Sequence, residues 1–221
     1  MSTFVLMRLL ESAPRRYDAG IEVLSLGQHR RVLRRMAELV TPGERVIDIG
    51  CGTGSLAVLC AKRGARVTAI DSSAAMLRLA KSKIADLGLS EAVEFREMSA
   101  VNLDGAFTDG AFDIIVSSFA FSELSDDEQA FVLRECARLL VEGSQLLVAD
   151  EVLPRRLPVR VVSRVVRLPL VAIAYVLTQT ATRAVADLEA KIRATGLTID
   201  GVERHLLGGV ELVMASKRAK Q

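Results

Sequence analysis

Three glycines at alternate positions form the part of this sequence best suited to bind a ligand. Gly50, Gly52 and Gly54 directly follow the apolar segment Val46–Ile49, and a helical pattern begins near Ser55. Glycine permits a tight turn and lets a ligand lie against bare backbone. Backbone N–H groups and the N-terminus of the next helix then point at that ligand. We therefore expect a binding loop here.

Two acidic residues accompany the loop. Asp48 lies two residues before Gly50, and Asp71 ends the next β-rich run, 17 residues after Gly54. A carboxylate at the C-terminal edge of that strand can bind both hydroxyls of a ribose. The G-x-G-x-G spacing differs from the G-x-G-x-x-G of nicotinamide dinucleotide folds, and no phosphate-binding G-x-x-x-x-G-K-[ST] is found. The pattern favours a nucleoside ligand.

The loop belongs to an alternation of strands and helices. Short buried-type runs predict strands, and helical patterns separate them. This order implies parallel βαβ units covered on both faces, and we expect an α/β, Rossmann-like, doubly wound sheet of seven strands with the last antiparallel. The predicted strands are Arg45–Ile49, Arg66–Ile70, Ala92–Arg96, Phe112–Val116, Gln145–Ala149, Leu197–Arg204 and Gly209–Ala215, and the predicted helices are Ser55–Arg63, Ser73–Leu87, Ser125–Leu140 and Thr182–Thr195.

The segment from Arg45 to Leu153 resembles the class I S-adenosylmethionine (SAM)-dependent methyltransferases. The resemblance rests on D-x-G-x-G-x-G at residues 48–54 and on the acid that ends the next strand. It implies that the loop wraps the methionine part of SAM, that Asp71 binds the ribose and that Met76 packs on adenine. The cofactor-binding residues implied are Asp48, Gly50, Cys51, Gly52, Gly54, Asp71, Ser72, Met76, Ser99, Ala100, Ser117 and Phe119.

Four of these positions depart from the family pattern or have a purely structural alternative. Ser99 stands where such enzymes often have an aspartate on the adenine amino group, so the N–H of Ala100 would meet the ring. Ser117 and Phe119 follow the predicted fourth strand, in the loop that closes over SAM; packing of the loop alone is the alternative. Cys51 lies inside the glycine loop, where a small filler residue is the alternative.

Narrower resemblances concern the flanks of the domain. The segment Met7–Tyr17 is similar to the arm of ubiquinone/menaquinone-type methyltransferases, which covers the cofactor, often through a tyrosine such as Tyr17. The pairing of this start with Phe121–Leu124 and Ala149–Pro154 resembles, more weakly, the corrinoid protein-associated methyltransferases. The first resemblance implies a lid, and the second implies a corrinoid protein as a partner.

Methyl transfer from a sulfonium needs mainly positioning and exclusion of water. A base is needed only where the acceptor must lose a proton, and Glu123, after the predicted fourth strand, is our catalytic candidate together with Tyr17. A solvated acid is the alternative for Glu123. Asp150 and Glu151 end the fifth strand and either face the pocket or are solvated. We expect His29 and His205 to be surface or packing residues.

Charge is distributed unevenly. The net charge is +2, but residues 41–151 carry −8 and the two flanks together +10. Residues 152–186 contain six arginines and no acid, interleaved with aliphatic residues. This insert is either a helical cover or a substrate lid that also meets a bilayer or an anionic partner. Nucleic acid is disfavoured, because Tyr175 is the only aromatic residue there. Arg30, Arg31, Arg34 and Arg35 either extend this patch or form a solvated face.

Composition restricts the remaining possibilities. No apolar run approaches the ~18–20 residues of a membrane span, and no basic region precedes the apolar N-terminal stretch, so we expect no cleaved signal. Three cysteines without C-x-x-C spacing and two histidines without H-x-x-x-H predict reduced thiols and no metal site. We predict a cytoplasmic protein, with peripheral membrane contact through residues 155–177 as an option.

We divide the chain into an N-terminal helical arm, residues 1–40, and a SAM-binding domain, residues 41–221. The predicted activity is transfer of the SAM methyl group to a small apolar molecule or a partner-held group, with S-adenosyl-L-homocysteine as the product. The alternatives are a SAM-binding accessory protein without turnover, and an enzyme that modifies RNA or protein.

Overall fold

The computed structural model describes residues 28–152, 184–205 and 208–218. Twelve helices and strands, together with two short 3-10 turns, follow one another along these residues. In chain order they are α1 (Gln28–Glu38), β1 (Arg45–Ile49), α2 (Ser55–Lys62), β2 (Arg66–Asp71), α3 (Ala74–Asp86), β3 (Val93–Glu97), a 3-10 turn (Ala100–Asn102), β4 (Phe112–Ser118), a 3-10 turn (Phe121–Glu123), α4 (Asp126–Leu139), β5 (Leu140–Glu151), α5 (Leu188–Arg193), β6 (Thr198–His205) and β7 (Val210–Ser216).

The seven strands form one sheet in the order β3-β2-β1-β4-β5-β7-β6. The pairs among the first five strands are parallel, and β7 runs antiparallel to both of its neighbours. This confirms the predicted doubly wound sheet with an antiparallel last strand. The strand order reverses between β1 and β4, and ligands of such sheets bind outside the carboxyl ends of the strands at this point.

Apolar side chains cover both faces of the sheet. On one face, α1 and α2 contribute Leu33, Met36 and Leu56 to a core cluster. On the other face, Phe121 and residues of α4 and α5 pack around Ile47. Because both faces are covered, the inner strands β1 and β4 are buried along almost their whole length.

Helix α4 begins where its sequence predicts. Ser125 accepts a hydrogen bond from the N–H of Glu128, and the Glu128 carboxylate accepts one from the N–H of Ser125. This reciprocal capping box satisfies two backbone donors that the first turn leaves unpaired. Only Leu124 and Ser125 separate the start of α4 from the turn at Phe121–Glu123.

The prediction of a helix over Thr182–Thr195 is wrong for its described first part. Residues 184–187 are not helical, and α5 begins only at Leu188. The physical reason is a parallel bridge: the N–H of Val185 donates to the carbonyl of Glu151, which pairs this segment with the end of β5. Asp187 then turns the chain with a positive φ of 48°.

Several predictions fall outside the described residues. Tyr17 and most of the N-terminal arm lie there, as do residues 153–183 of the basic insert. Within the described ranges, no helix combines the length and the hydropathy needed to cross a membrane.

Candidate functional site

A cleft of about 250 Å³ opens at the carboxyl ends of β1, β2 and β4. Its position is the one expected for a ligand site in a sheet of this topology. The glycine loop, the start of α3, the end of β4 and one side of α1 form its walls. The lining residues are His29, Leu33, Gly50, Cys51, Gly52, Thr53, Ser55, Leu56, Asp71, Ser72, Ser73, Ala75, Met76, Ser118, Phe119, Ala120 and Glu123.

The glycine loop owes its shape to left-handed backbone. Gly50, Gly52 and Gly54 have φ values of 72°, 53° and 73°, which L side chains adopt only at a cost. A Cβ on Gly50 would lie 2.4 Å from the Cβ of Ala120, so only glycine fits between the loop and the wall that follows β4. A Cβ on Gly52 would meet no atom within 4 Å. Gly52 therefore has free space beside it at the cleft.

Asp71 joins the end of β2 to the glycine loop. One carboxylate oxygen accepts a hydrogen bond of 2.8 Å from the N–H of Gly52, and the other accepts one of 2.8 Å from the N–H of Ser73. An ionised carboxylate has about four acceptor positions, so about two remain for a ligand. Asp71 can thus hold the loop and accept two hydroxyl donors at the same time.

Helix α2 presents its N-terminus to the cleft. Gly54 immediately precedes the first turn of α2, and Thr53 and Ser55 on either side of it line the cleft. Lys83 of α3 donates to both hydroxyls, at 3.2 and 3.1 Å. Sequence reasoning missed this group, because a lysine 30 residues away in the chain carries no local signal that it reaches the loop.

Asp48 lies beneath the loop rather than in the cleft. Its carboxyl group is fully buried. Neither oxygen lies within the distance and angle of a hydrogen bond from a donor among the described residues. Burial, and secondarily the negative charge of Asp71, raises the pKa of Asp48 to about 7. A buried carboxyl of this kind is destabilising when charged.

A buried hydrogen bond between β4 and β1 fixes the wall of the cleft that follows β4. The Ser117 hydroxyl is buried and donates to the carbonyl of Ile49 at 2.9 Å. Ser117 therefore ties β4 to β1 and does not line the cleft. Phe119 does line it, with a left-handed φ of 58°, and its N–H donates to the carbonyl of Ala149 at 2.7 Å.

A buried carboxylate supports the turn that carries Glu123. Asp150 accepts hydrogen bonds of 2.8 and 3.2 Å from the N–H groups of Phe121 and Ser122. Burial raises the pKa of Asp150 to about 7, although these donors act in the opposite direction. Asp150 thus neither faces the cleft nor is solvated, and Glu151 does not line the cleft either. Glu123 is exposed at the edge of the cleft.

His29 of α1 also lines the cleft, which the sequence did not indicate. Its ring lies 4.9 Å from that of Phe119, centroid to centroid. The expectation of a surface or packing residue is therefore incomplete. Packing of α1 on α2 brings His29 to the loop, and a lone histidine 21 residues before Gly50 gives no local sign of this contact.

The remaining predicted residues divide into two groups. Cys51, Ser72 and Met76 line the cleft, and burial raises the pKa of the Cys51 thiol, which favours its uncharged form. Ser99 and Ala100 are partly buried and follow β3 outside the cleft lining. The N–H of Met98 donates to the carbonyl of Asp71, which places this segment beside the end of β2.

Comparison with known proteins agrees with this geometry. Residues 46–143 match the model of a family described as a methyltransferase domain. The demethylmenaquinone methyltransferase of Thermus thermophilus is 38% identical over 144 residues, which is 63% of this chain and 62% of that protein. The ubiquinone/menaquinone biosynthesis C-methyltransferase UbiE of Xanthomonas oryzae is 33% identical over 63% of this chain and 55% of that protein.

The chain thus spans about three fifths of the length of these curated relatives. Among solved structures, geranyl diphosphate C-methyltransferase from Streptomyces coelicolor, in complex with Mg²⁺, geranyl diphosphate and S-adenosyl-L-homocysteine, superposes with a TM-score of 0.66. The identity is 17%, over 91% of this chain and 83% of that one. At this identity the similarity concerns the fold.

Proposed function

We propose that this chain is a class I SAM-dependent methyltransferase, as its match to a methyltransferase domain and its curated relatives support, and that it transfers the methyl group of SAM to a ring carbon of a small apolar, quinone-type molecule. SAM would supply an electrophilic methyl group, and S-adenosyl-L-homocysteine would be the product. The division into an arm, residues 1–40, and a SAM-binding domain, residues 41–221, is part of this proposal.

The observation that carries the proposal is the arrangement of Asp71 against the glycine loop. The carboxylate has about two acceptor positions left after binding Gly52 and Ser73, which matches the two hydroxyls of a ribose. The open space at Gly52 leaves room for the methionine part beside the backbone. The residues of the cleft therefore fit SAM.

The adenine would lie on the α3 side of the cleft. Met76 is buried there, and Ser72 lies next to Asp71. We assign Met76 to the face of the ring, and Ser99 and the N–H of Ala100 to its polar edge. Because neither of these last two residues lines the cleft, their contact requires adenine to extend past the end of β2 toward β3.

The chain's own residues would control the reacting end by position and by exclusion of water. Phe119, Leu33 and Leu56 give that part of the cleft apolar surface. Methylation of a carbon on a hydroxylated ring is helped by removal of the hydroxyl proton. We assign this role to Glu123, supported by its place at the cleft edge on a turn held by Asp150. Tyr17 remains a proposed contributor from the arm.

The quinone-type acceptor is proposed from the names of the relatives, demethylmenaquinone and ubiquinone/menaquinone methyltransferases. The apolar wall of the cleft agrees with a ring of this kind. The relatives described above give no support to a corrinoid partner or to an accessory role. Cytoplasmic location, a lid formed by the basic insert and membrane contact through residues 155–177 remain predictions.

The test is transfer of labelled methyl from SAM to a panel of acceptors. The panel contains a short-chain demethylmenaquinol, a catechol and an unmodified RNA, each incubated with the protein at equal concentration. We expect label on a ring carbon of the quinol, located by mass spectrometry. Label on the RNA or on a catechol oxygen alone would refute the acceptor. Binding of SAM without transfer to any acceptor would favour the accessory alternative.

A further inference from the structure

A second cavity lies on the other side of α1, between this helix and the edge strand β6. It is a groove of about 540 Å³ that shares no lining residue with the cleft. We call it the arginine groove. Its lining residues are Arg30, Arg31, Arg34, Arg35, Glu38, Glu203 and His205.

The charges of the arginine groove are only partly compensated. Arg35 forms ion pairs with Glu203 at 2.8 Å and with Glu38 at 3.4 Å. Arg30, Arg31 and Arg34 are exposed and make no ion pair among the described residues. Four guanidinium groups therefore face two carboxylates, which leaves a formal excess of two positive charges.

His205 contributes to the arginine groove a ring nitrogen that has no hydrogen-bond partner among the described residues. Its Nε2 atom is buried and forms no hydrogen bond among the described residues; the Glu203 Oε2 atom is 3.8 Å away. Burial lowers the pKa of His205, Glu203 opposes this effect, and the positive charge of Arg31 adds to it. A buried polar atom left unpaired is costly, so the described residues do not fully satisfy the polar groups around this groove.

We propose that the arginine groove binds a compact, phosphate-bearing polyanion. Guanidinium groups match the geometry of phosphoryl oxygens with two parallel hydrogen bonds each, and three arginines here form no ion pair among the described residues. The concave shape also distinguishes the ligand. A bilayer surface is flat and would meet only the exposed arginines, whereas a compact phosphoryl compound can enter the concave groove between α1 and β6.

Binding there would stabilise α1, since Arg30, Arg31 and Arg34 all belong to this helix. The opposite side of the same helix presents His29 and Leu33 to the cleft. A ligand that binds only the folded chain raises its melting temperature as its concentration exceeds the dissociation constant. The stabilisation therefore provides a readout that does not depend on methyl transfer.

The experiment is calorimetric titration of inorganic pyrophosphate into the full chain at low salt, with the melting temperature measured in parallel. We compare wild type with the variant Arg31→Gln/Arg34→Gln. The matched control is Arg66→Gln/Arg78→Gln, which removes the same charge from exposed positions on β2 and α3. All four side chains are exposed, so the variants should fold.

We expect saturable binding to wild type, a loss of at least about ten-fold in affinity in the groove variant and a change of less than about two-fold in the control. The rise in melting temperature should be lost in the groove variant only. Absence of pyrophosphate binding, or equal weakening in both double variants, would overturn the proposal. Binding to phosphatidylglycerol vesicles that needs Arg31 and Arg34, without binding of pyrophosphate, would also overturn it in favour of a bilayer surface.

Discussion

The carboxylate of Asp71 accepts a hydrogen bond of 2.8 Å from the backbone N–H of Gly52, 19 residues earlier in the chain. This contact closes the glycine loop against the end of the neighbouring strand. The same carboxylate would accept the ribose hydroxyls under our proposal. Loop geometry and cofactor affinity therefore depend on one side chain.

Gly50 provides a test of the loop's packing. We expect Gly50→Ala to lower the free energy of unfolding by about 2–4 kcal/mol, because left-handed strain of about 1 kcal/mol adds to overpacking of about 1–3 kcal/mol. The added Cβ would lie 2.4 Å from the Cβ of Ala120. Gly43→Ala is the matched control, since Gly43 has a φ of 88° with nothing within 4 Å. Urea unfolding that gives equal losses in both variants would contradict the packing argument.

Asp48 makes stability depend on pH. In the folded chain the pKa of Asp48 is about 7, against an ordinary value of 3.8. Between these values the folded state keeps a proton that the unfolded state has lost, so the free energy of unfolding falls as pH rises from about 4 to 7. Above pH 7 this contribution is constant.

We therefore expect Asp48→Asn to be more stable than wild type at pH 8, by up to about 4 kcal/mol at ~1.4 kcal/mol per pKa unit. The difference should shrink at pH 5. Thermal or urea unfolding at both pH values measures it, with the exposed Asp86→Asn as the control. A variant less stable than wild type at pH 8 would show that the Asp48 carboxylate has a stabilising partner.

Glu123 is the proposed proton acceptor. We expect Glu123→Gln to lower kcat by about 10²–10⁴-fold, the usual range for general acid–base catalysis. Affinity for S-adenosyl-L-homocysteine should change by less than a few-fold, because the substituted amide would leave the loop and Asp71 intact. Glu91→Gln, at an exposed position before β3, is the control. Unchanged kcat in Glu123→Gln would show that Glu123 is not the proton acceptor. His29, which also lines the cleft, would then be the candidate for that role.

The sequence could predict those parts of the site whose residues are adjacent in the chain. The run from β1 through the glycines into α2 has its strand, turn and helix signals adjacent in the chain, and Asp71 follows a clear strand. The contributions of His29, Lys83 and Asp150 depend on packing between distant segments. Asp150 illustrates the limit: a strand-ending acid reads as solvated or ligand-facing, yet its carboxylate is buried beneath the turn that carries Glu123.

The most direct test of the central claim is calorimetric binding of S-adenosyl-L-homocysteine to wild type, Asp71→Asn, Asp71→Ala and the control Glu91→Gln. Loss of charge-assisted hydrogen bonds of about 1.5–3 kcal/mol should weaken binding roughly ten- to a hundred-fold in the Asp71 variants. Melting temperatures establish that the variants are folded. We expect 1:1 binding to wild type and to the control. Undiminished affinity in a folded Asp71→Ala would contradict the ribose assignment, and binding of NADH in place of S-adenosyl-L-homocysteine would contradict the account as a whole.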